Sequence, residues 1–294
     1  MRLIPALCFI ASVLPCTLLA QDEMLSAEDQ AYLAWSSEFL SSLDPQTGEI
    51  LLPGSMARLH VSDDFYYLDP QDAERVLSEA WGNPPGTGAL GMLLPAGQTP
   101  LDEDSWAVVI SFEEDGYVSD EDAYNIDYDE LLEEMQADTR SESGEREAAG
   151  YGSIDLVGWA ARPYYDKSRH QLYWAKELEF DHDPNHTLNY SIRSLGRKGV
   201  LEMNFVAGMN QLDQINGSLD SVLAMVNFVD GHRYEDFDPS YDEVAAYGLG
   251  ALVAGKLAAK TGAIAGFLLL LKKFWWLALV AIGGIFRAIT GKKN

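Results

Sequence analysis

The chain reads as an α+β domain: an antiparallel sheet with packed helices, followed by a C-terminal transmembrane helical segment. Three observations predict this. β-rich runs come in adjacent pairs around short turns, and amphipathic helical runs stand before and after them. In addition, all 46 acidic residues lie between Asp22 and Glu243, so the C-terminal stretch beyond them is apolar and basic.

The elements follow in order. Residues 1–20 have the make-up of a secretory signal: Arg2, then the apolar run Leu3 to Leu19, then the small Ala20 before a cleavage site. Both cysteines, Cys8 and Cys16, fall inside it, so the mature chain would hold no disulfide, thiol nucleophile or thiolate metal site. Ser26 and Asp29 form a capping-box pattern ahead of Tyr32, Trp35 and Phe39 at helical spacing. Ile50–Leu52 and Ala57–Val61 read as strands around Pro53-Gly54-Ser55. Pro70 to Trp81 is the clearest helix, with Asp69 as its cap and Gly82-Asn83 as its stop. Residues 84–100 are rich in Gly and Pro and read as a long loop. Trp106 to Phe112 reads as a buried strand. Asp127 caps a helix carrying Leu131, Leu132 and Met135, and Arg140 to Ala149 reads as an exposed polar stretch.

The second half is richer in strands. Ile154–Ala161 and Gln171–Phe180 flank a long connection. Leu188–Leu195 and Gly199–Ala207 flank a tight one. Leu212, Ile215, Leu219, Val222, Leu223 and Val226 then define an amphipathic helix ending near Asp230-Gly231.

Charge divides the chain at Glu243. Residues 22–243 hold every acid and 12 bases, a formal charge of −34. That field repels nucleic acid, so no nucleic-acid partner is expected. Residues 244–294 read as a hydrophobic anchor whose partner is the lipid bilayer, with a basic tail ending in Lys292-Lys293. Three arrangements fit: one span from about Ala245 to Leu271 followed by an interfacial helix from Trp275-Trp276, a hairpin of two spans, or one span from Gly262 to Phe286. The last places Lys272 and Lys273 mid-bilayer at about 2.5–3.5 kcal/mol each. Ala251, Gly255 and Ala259 stand four apart, as do Gly262 and Gly266; this spacing suits self-association through helix faces, or reflects composition alone. The expected location is the bacterial cytoplasmic membrane, with the soluble domain extracytoplasmic.

Two groups of residues have metal-ligand chemistry. Asp115, Asp120 and Asp122 lie in Asp-Gly-Tyr-Val-Ser-Asp-Glu-Asp, which is similar to the second half of a Ca2+-binding loop. Ser111 stands where that loop needs its first Asp, so a strand-to-helix junction with acidic caps is the other reading. His182 and His186 sit with Asp181 and Asp183 in six residues, a set suited to Zn2+. Pro184 argues against helical convergence of the two imidazoles. His60, His170 and His232 are isolated in sequence. Trp159, Tyr164, Tyr165, Tyr173 and Trp174 surround one hairpin, either as a ligand platform or as alternating core and surface positions. No nucleophile elbow, P-loop, zinc-protease motif or dinucleotide fingerprint is present, so no organic cofactor is expected.

A family resemblance rests on Ala57-Arg58-Leu59, Phe65-Tyr66-Tyr67-Leu68-Asp69, Trp81-Gly82-Asn83-Pro84, Gly116-Tyr117-Val118-Ser119-Asp120, Gly158-Trp159-Ala160, Leu172-Tyr173-Trp174-Ala175, Asn189-Tyr190, Leu195-Gly196-Arg197 and Ala245-Ala246-Tyr247-Gly248. In combination these resemble the bacterial membrane-anchored proteins grouped as domain of unknown function 2167. The resemblance implies an exported, anchored protein and brings no activity or catalytic residues. The last two strands, the helix and the closing segment Phe228 to Phe237 are similar to the end of a Mog1/PsbP type α-β-α sandwich. The expected function is therefore a non-enzymatic binding or scaffolding module that meets an envelope partner. A metal-dependent hydrolase using histidines and carboxylates of the body is the alternative.

Overall fold

A computed structural model describes residues 26–83, 85–148 and 152–255. It divides into two compact units, Met1–Ser41 and Ser42–Asn294. Residues 1–20, expected as a signal segment, lie outside the described residues. What is described of the first unit is the helix α1, Ala27–Ser41. Its capping box forms as the sequence predicts: the Asp29 N–H donates to Ser26 Oγ and the Ser26 N–H to Asp29 Oδ2, each at 3.1 Å. Along one face the Tyr32 ring lies tilted against Trp35, and Trp35 stacks on Phe39.

The second unit is α+β, with two antiparallel sheets. The smaller has the order β1 (Gly48–Leu51), β2 (Ala57–Val61) and β10 (Val226–Phe228). Ile50 and Val226 both stand opposite Leu59, so the end of the fold closes on its beginning. The larger has seven strands in the order β3-β4-β5-β9-β8-β7-β6. These are β3 Phe65–Leu68, β4 Gly91–Pro95, β5 Ala107–Glu113, β6 Ile154–Asp166, β7 Gln171–Phe180, β8 Thr187–Leu195 and β9 Val200–Gly208.

Helices cover the sheet. On one face, Val108, Ile110, Ile192, Met203 and Phe205 pack against the small sheet and against α4 (Leu212–Met225) through Ile215, Val222 and Leu223. Strand alternation sends the neighbouring residues to the other face. There α2 (Pro70–Arg75) packs on β3 and β4, while α3 (Tyr128–Ala148) packs on β6. Leu156, Leu172, Trp174 and Leu178 share a core with Met135 of α3 and with Leu249, Leu252 and Val253 of α5 (Leu249–Ala254).

Asp69 caps α2 by accepting the N–H groups of Gln71 and Asp72 at 2.9 Å, with Pro70 at the first helical position. The helix then widens into a π turn over Val76–Ala80. That turn delivers the Trp81 indole N–H to the Pro100 carbonyl at 2.9 Å.

Four expectations change. Residues 84–100 are not one loop, because β4 lies within them. Proline and glycine flank a strand of only five residues, and its first residue, Gly91, has φ 150°. A Cβ there would strike the Tyr67 ring, whose hydroxyl donates to the Leu90 carbonyl at 2.7 Å. Arg140 to Ala148, expected as an exposed polar stretch, continues α3 as helix; most of it is exposed, and Ser143 is buried. Its polar groups dock it: Ser143 Oγ accepts the Ile154 N–H at 2.8 Å, and Arg146 Nε donates to the Gly152 carbonyl at 3.2 Å. β6 continues past Ala161 to Asp166 by shifting register three times. Finally, the fold does not end at Glu243. The Tyr117 N–H donates to the Glu243 carbonyl, and the Ala245 N–H to the Tyr117 carbonyl, each at 2.8 Å.

The folded body thus continues to Gly255, whose left-handed φ of 69° ends α5. Of the small residues spaced four apart, Ala251 lies in α5 and Gly255 caps it, whereas Ala259, Gly262 and Gly266 lie outside the described residues. No helix among the described residues is long and apolar enough to cross a membrane. The expected span from about Ala245 thus loses its first residues to the folded core, where Leu249, Leu252 and Val253 pack, and the rest of the expected spans lies outside the described residues.

Candidate functional site

The central strands of a sheet covered on both faces are expected to be apolar on both. On one face of this sheet they are not. Arg193 stands opposite Glu202, and Ser191 opposite Asn204, across β8 and β9. Ser111 of β5 stands opposite Glu202 as well, and Asn189 of β8 opposite Lys176 of β7. Opposed residues share a face, so these groups form one polar stripe across four adjacent strands. Their alternate neighbours Tyr190, Ile192, Met203 and Phe205 face the apolar core behind.

The stripe is buried. Asn189 is 0% exposed, Ser191 2%, and Arg193, Glu202 and Asn204 no more than 6%. Part of it is internally satisfied. Asn204 Oδ1 accepts from Asn189 Nδ2 and from Ser191 Oγ at 3.1 Å, and Ser111 Oγ donates to Glu202 Oε2 at 3.1 Å. Arg193 pairs with Glu202 and lies 5.5 Å from the centre of the Trp174 ring. Other atoms have no hydrogen-bond partner among the described residues: Asn189 Oδ1, Asn204 Nδ2, Trp174 Nε1, Glu113 Oε2 and Arg193 Nε. An orphaned buried polar atom costs about 1–3 kcal/mol, so several in one patch need a reason.

Burial also moves the charges. Desolvation pushes the Glu113 carboxyl up, with Arg193 pulling against it and Asp115 adding to it. Desolvation pulls the Arg193 guanidinium down to about 10. Lys176 falls to about 8, through burial first and then through repulsion from Arg193. Chemically, the stripe offers amide, indole and guanidinium donors beside an amide oxygen and a carboxylate. It suits a polar ligand that both donates and accepts.

The residues singled out in the sequence fall in two other places. Asp115, Asp120 and Asp122 each serve a different neighbour. Asp115 Oδ2 accepts from the Tyr247 hydroxyl and Asp120 Oδ2 from the Tyr165 hydroxyl, each at 2.9 Å. Asp122 accepts the Leu249 and Gly250 N–H groups at 3.2 and 3.4 Å. Together they fasten the β5–α3 connection to β6 and to the start of α5. His182 and His186 do meet, through Glu179. Glu179 Oε1 lies 2.9 Å from His182 Nδ1, and its Oε2 lies 3.4 Å from His186 Nε2. His186 Nδ1 is also 2.6 Å from Glu177 Oε1. Asp155 joins Glu179 and His182, with one ligand atom from each inside 4.8 Å of the others.

The structure also gives His170 a setting that its isolation in sequence hides. It has φ 52°, its ring stacks on Tyr234 at 4.2 Å, and its Nδ1 lies 3.3 Å from the Tyr165 hydroxyl. It lines a cavity of about 450 Å3 with Gln171, Ser194, Asn227, Phe228 and Tyr234. The aromatic hairpin divides by alternation: Tyr165 and Trp174 are buried, whereas Tyr164 is exposed beside Tyr173.

Sequence reasoning missed the stripe because Asn189, Ser191 and Arg193 alternate with Leu188, Tyr190 and Ile192. Such alternation reads as a strand with one wet face, yet all of β8 is buried. The usable signal was the second polar alternation, Glu202 and Asn204, on the strand paired with it. Trp174 and Asn189, two residues that carry the family resemblance, lie on this stripe.

The solution structure of cyanobacterial PsbP (CyanoP) from Synechocystis sp. PCC 6803 is similar at 11% identity and a TM-score of 0.32, covering 64% of this chain and 93% of that one. No curated protein matches the chain. The family described as "Protein of unknown function (DUF2167)" matches residues 44–283, from just before β1 through most of the apolar tail. This chain therefore belongs to the DUF2167 family.

Proposed function

We propose that this protein is a membrane-tethered binding module of the bacterial envelope and not an enzyme. Its acidic α+β body stands outside the cytoplasmic membrane, residues beyond Gly255 hold it to the bilayer, and the stripe from Lys176 to Ser111 receives a polar ligand or a polar segment of an envelope partner. The observation that carries the binding reading is the set of orphaned buried polar atoms on the central strands. A fold that needed only stability would replace them with apolar groups. The location rests on the charge division: the −34 body suits water, and the acid-free C-terminal stretch suits lipid.

Native mass spectrometry tests the binding reading on the full-length chain extracted from bacterial membranes in mild detergent. Wild type should carry a bound species. The triple variant Asn189→Leu, Ser191→Ala, Asn204→Leu should fold and lose it. An identical spectrum for both, or no bound species in either, contradicts the reading.

A further inference from the structure

The edge of the large sheet carries an electrostatic conflict. Asp155 on β6 stands directly opposite Glu179 on β7, and Glu177 lies two residues away on the same face. Like charges directly opposed across a ladder are destabilising. Two histidines enter this cluster. His186 bridges Glu177 and Glu179, and its carbonyl accepts the Met209 N–H at 3.0 Å, which fixes its turn. His182 reaches Glu179 from the other side.

The backbone is bent to put it there. Asp181 and His182 both adopt left-handed φ, 51° and 58°, without being glycine. The Asp181 carboxylate accepts the Ser153 N–H at 2.8 Å and packs on Gly152, where a Cβ would collide with it. The turn is thereby tied to the start of β6. His182 is returned over the strand pair while its side chain stays 79% exposed.

We propose that Asp155, Glu179 and His182 form a binding site for a divalent transition-metal ion, Zn2+ in particular. One atom from each lies within 4.8 Å of the other two, so a modest rotation of the three side chains brings all to a common ion. One imidazole nitrogen with two carboxylate oxygens suits Zn2+; Ca2+ takes oxygen ligands alone. The ion removes the Asp155–Glu179 repulsion. His186, hydrogen-bonded to Glu177 and with its Nε2 3.4 Å from the second oxygen of Glu179, flanks that carboxylate. The exposure of His182 leaves the remaining coordination positions to water, which makes this an exchangeable site at the surface and not a sealed structural one.

The test is calorimetric titration of Zn2+ into the full-length chain in detergent, carrying no histidine tag, with excess Mg2+ present to occupy non-specific acidic sites. One Zn2+ per chain is expected. His182→Ala and Glu179→Gln should each weaken it at least about 10-fold, while Asp213→Asn on α4 leaves it unchanged. His182 is exposed, so His182→Ala keeps the fold, and circular dichroism checks this. Zinc binding that is absent, that survives His182→Ala, or that Ca2+ displaces at equal concentration overturns the proposal.

Discussion

Arg193 on β8 faces Glu202 on β9, and the two form an ion pair at the middle of a seven-stranded sheet beneath the Trp174 ring. Removing one partner leaves the other charge buried and uncompensated, at a cost of about 3–5 kcal/mol. Arg193→Met and Glu202→Leu should each show that loss in denaturant unfolding. The double variant should recover most of it, since an apolar pair needs no compensation.

Where the fold ends is the second point. Leu249, Leu252 and Val253 are no more than 1% exposed, so α5 belongs to the core of the acidic body. Each such side chain contributes about 1.5–3 kcal/mol. A chain ending at Gly255 should therefore unfold cooperatively near the wild-type midpoint. One ending at Glu243 should be far less stable or fail to fold. Thermal unfolding of the two truncations decides this.

These comparisons show what could be read from residues alone. β2 lies where its apolar run predicts, and α2 begins at the predicted Asp69 cap, because short-range chemistry fixes both. β4 was hidden because its stability comes from pairing with β3 and β5, not from its own five residues. The end of α3 was hidden because Ser143 and Arg146 dock it through polar groups, which in sequence look like a solvated surface. α5 was absorbed into the apolar tail because a buried helix turn and the start of a membrane segment have the same composition. At the corner around Glu179, His182 and His186 were legible by proximity. Asp155 and Glu179 were not, because only strand pairing brings them there.

Stability should vary with pH in a signed way. Lys176, which keeps part of its surface in water, has its folded pKa pulled to about 8, below the usual lysine value, so its burial cost is fully present below pH 8. As pH rises from about 8 toward 10 the folded state sheds this proton first, and stability rises. Tyr66 and Tyr67 are pushed up to about 12, chiefly by burial, with Asp102 and Asp69 adding to the effect. Above about pH 10 their unfolded forms ionise first, and stability falls. Denaturation midpoints across pH 7–11.5 should pass through a maximum, and Lys176→Met should remove the rising limb.

Topology has its own readout. In intact spheroplasts an added protease should digest the acidic body, and the remaining C-terminal fragment should stay with the membrane pellet. A protected body would reverse the orientation, and a full-length chain left in the supernatant without detergent would remove the tether.

The central claim is that the polar stripe is kept for binding at the expense of stability. Its most direct measurement is the unfolding free energy of the triple variant Asn189→Leu, Ser191→Ala, Asn204→Leu against wild type, both stripped of bound species. Replacing the donors and acceptors together leaves no new orphan among these three residues, so the account predicts equal or greater stability, by about 1–3 kcal/mol. A loss of several kcal/mol would contradict it, since those side chains would then be structural members of the sheet.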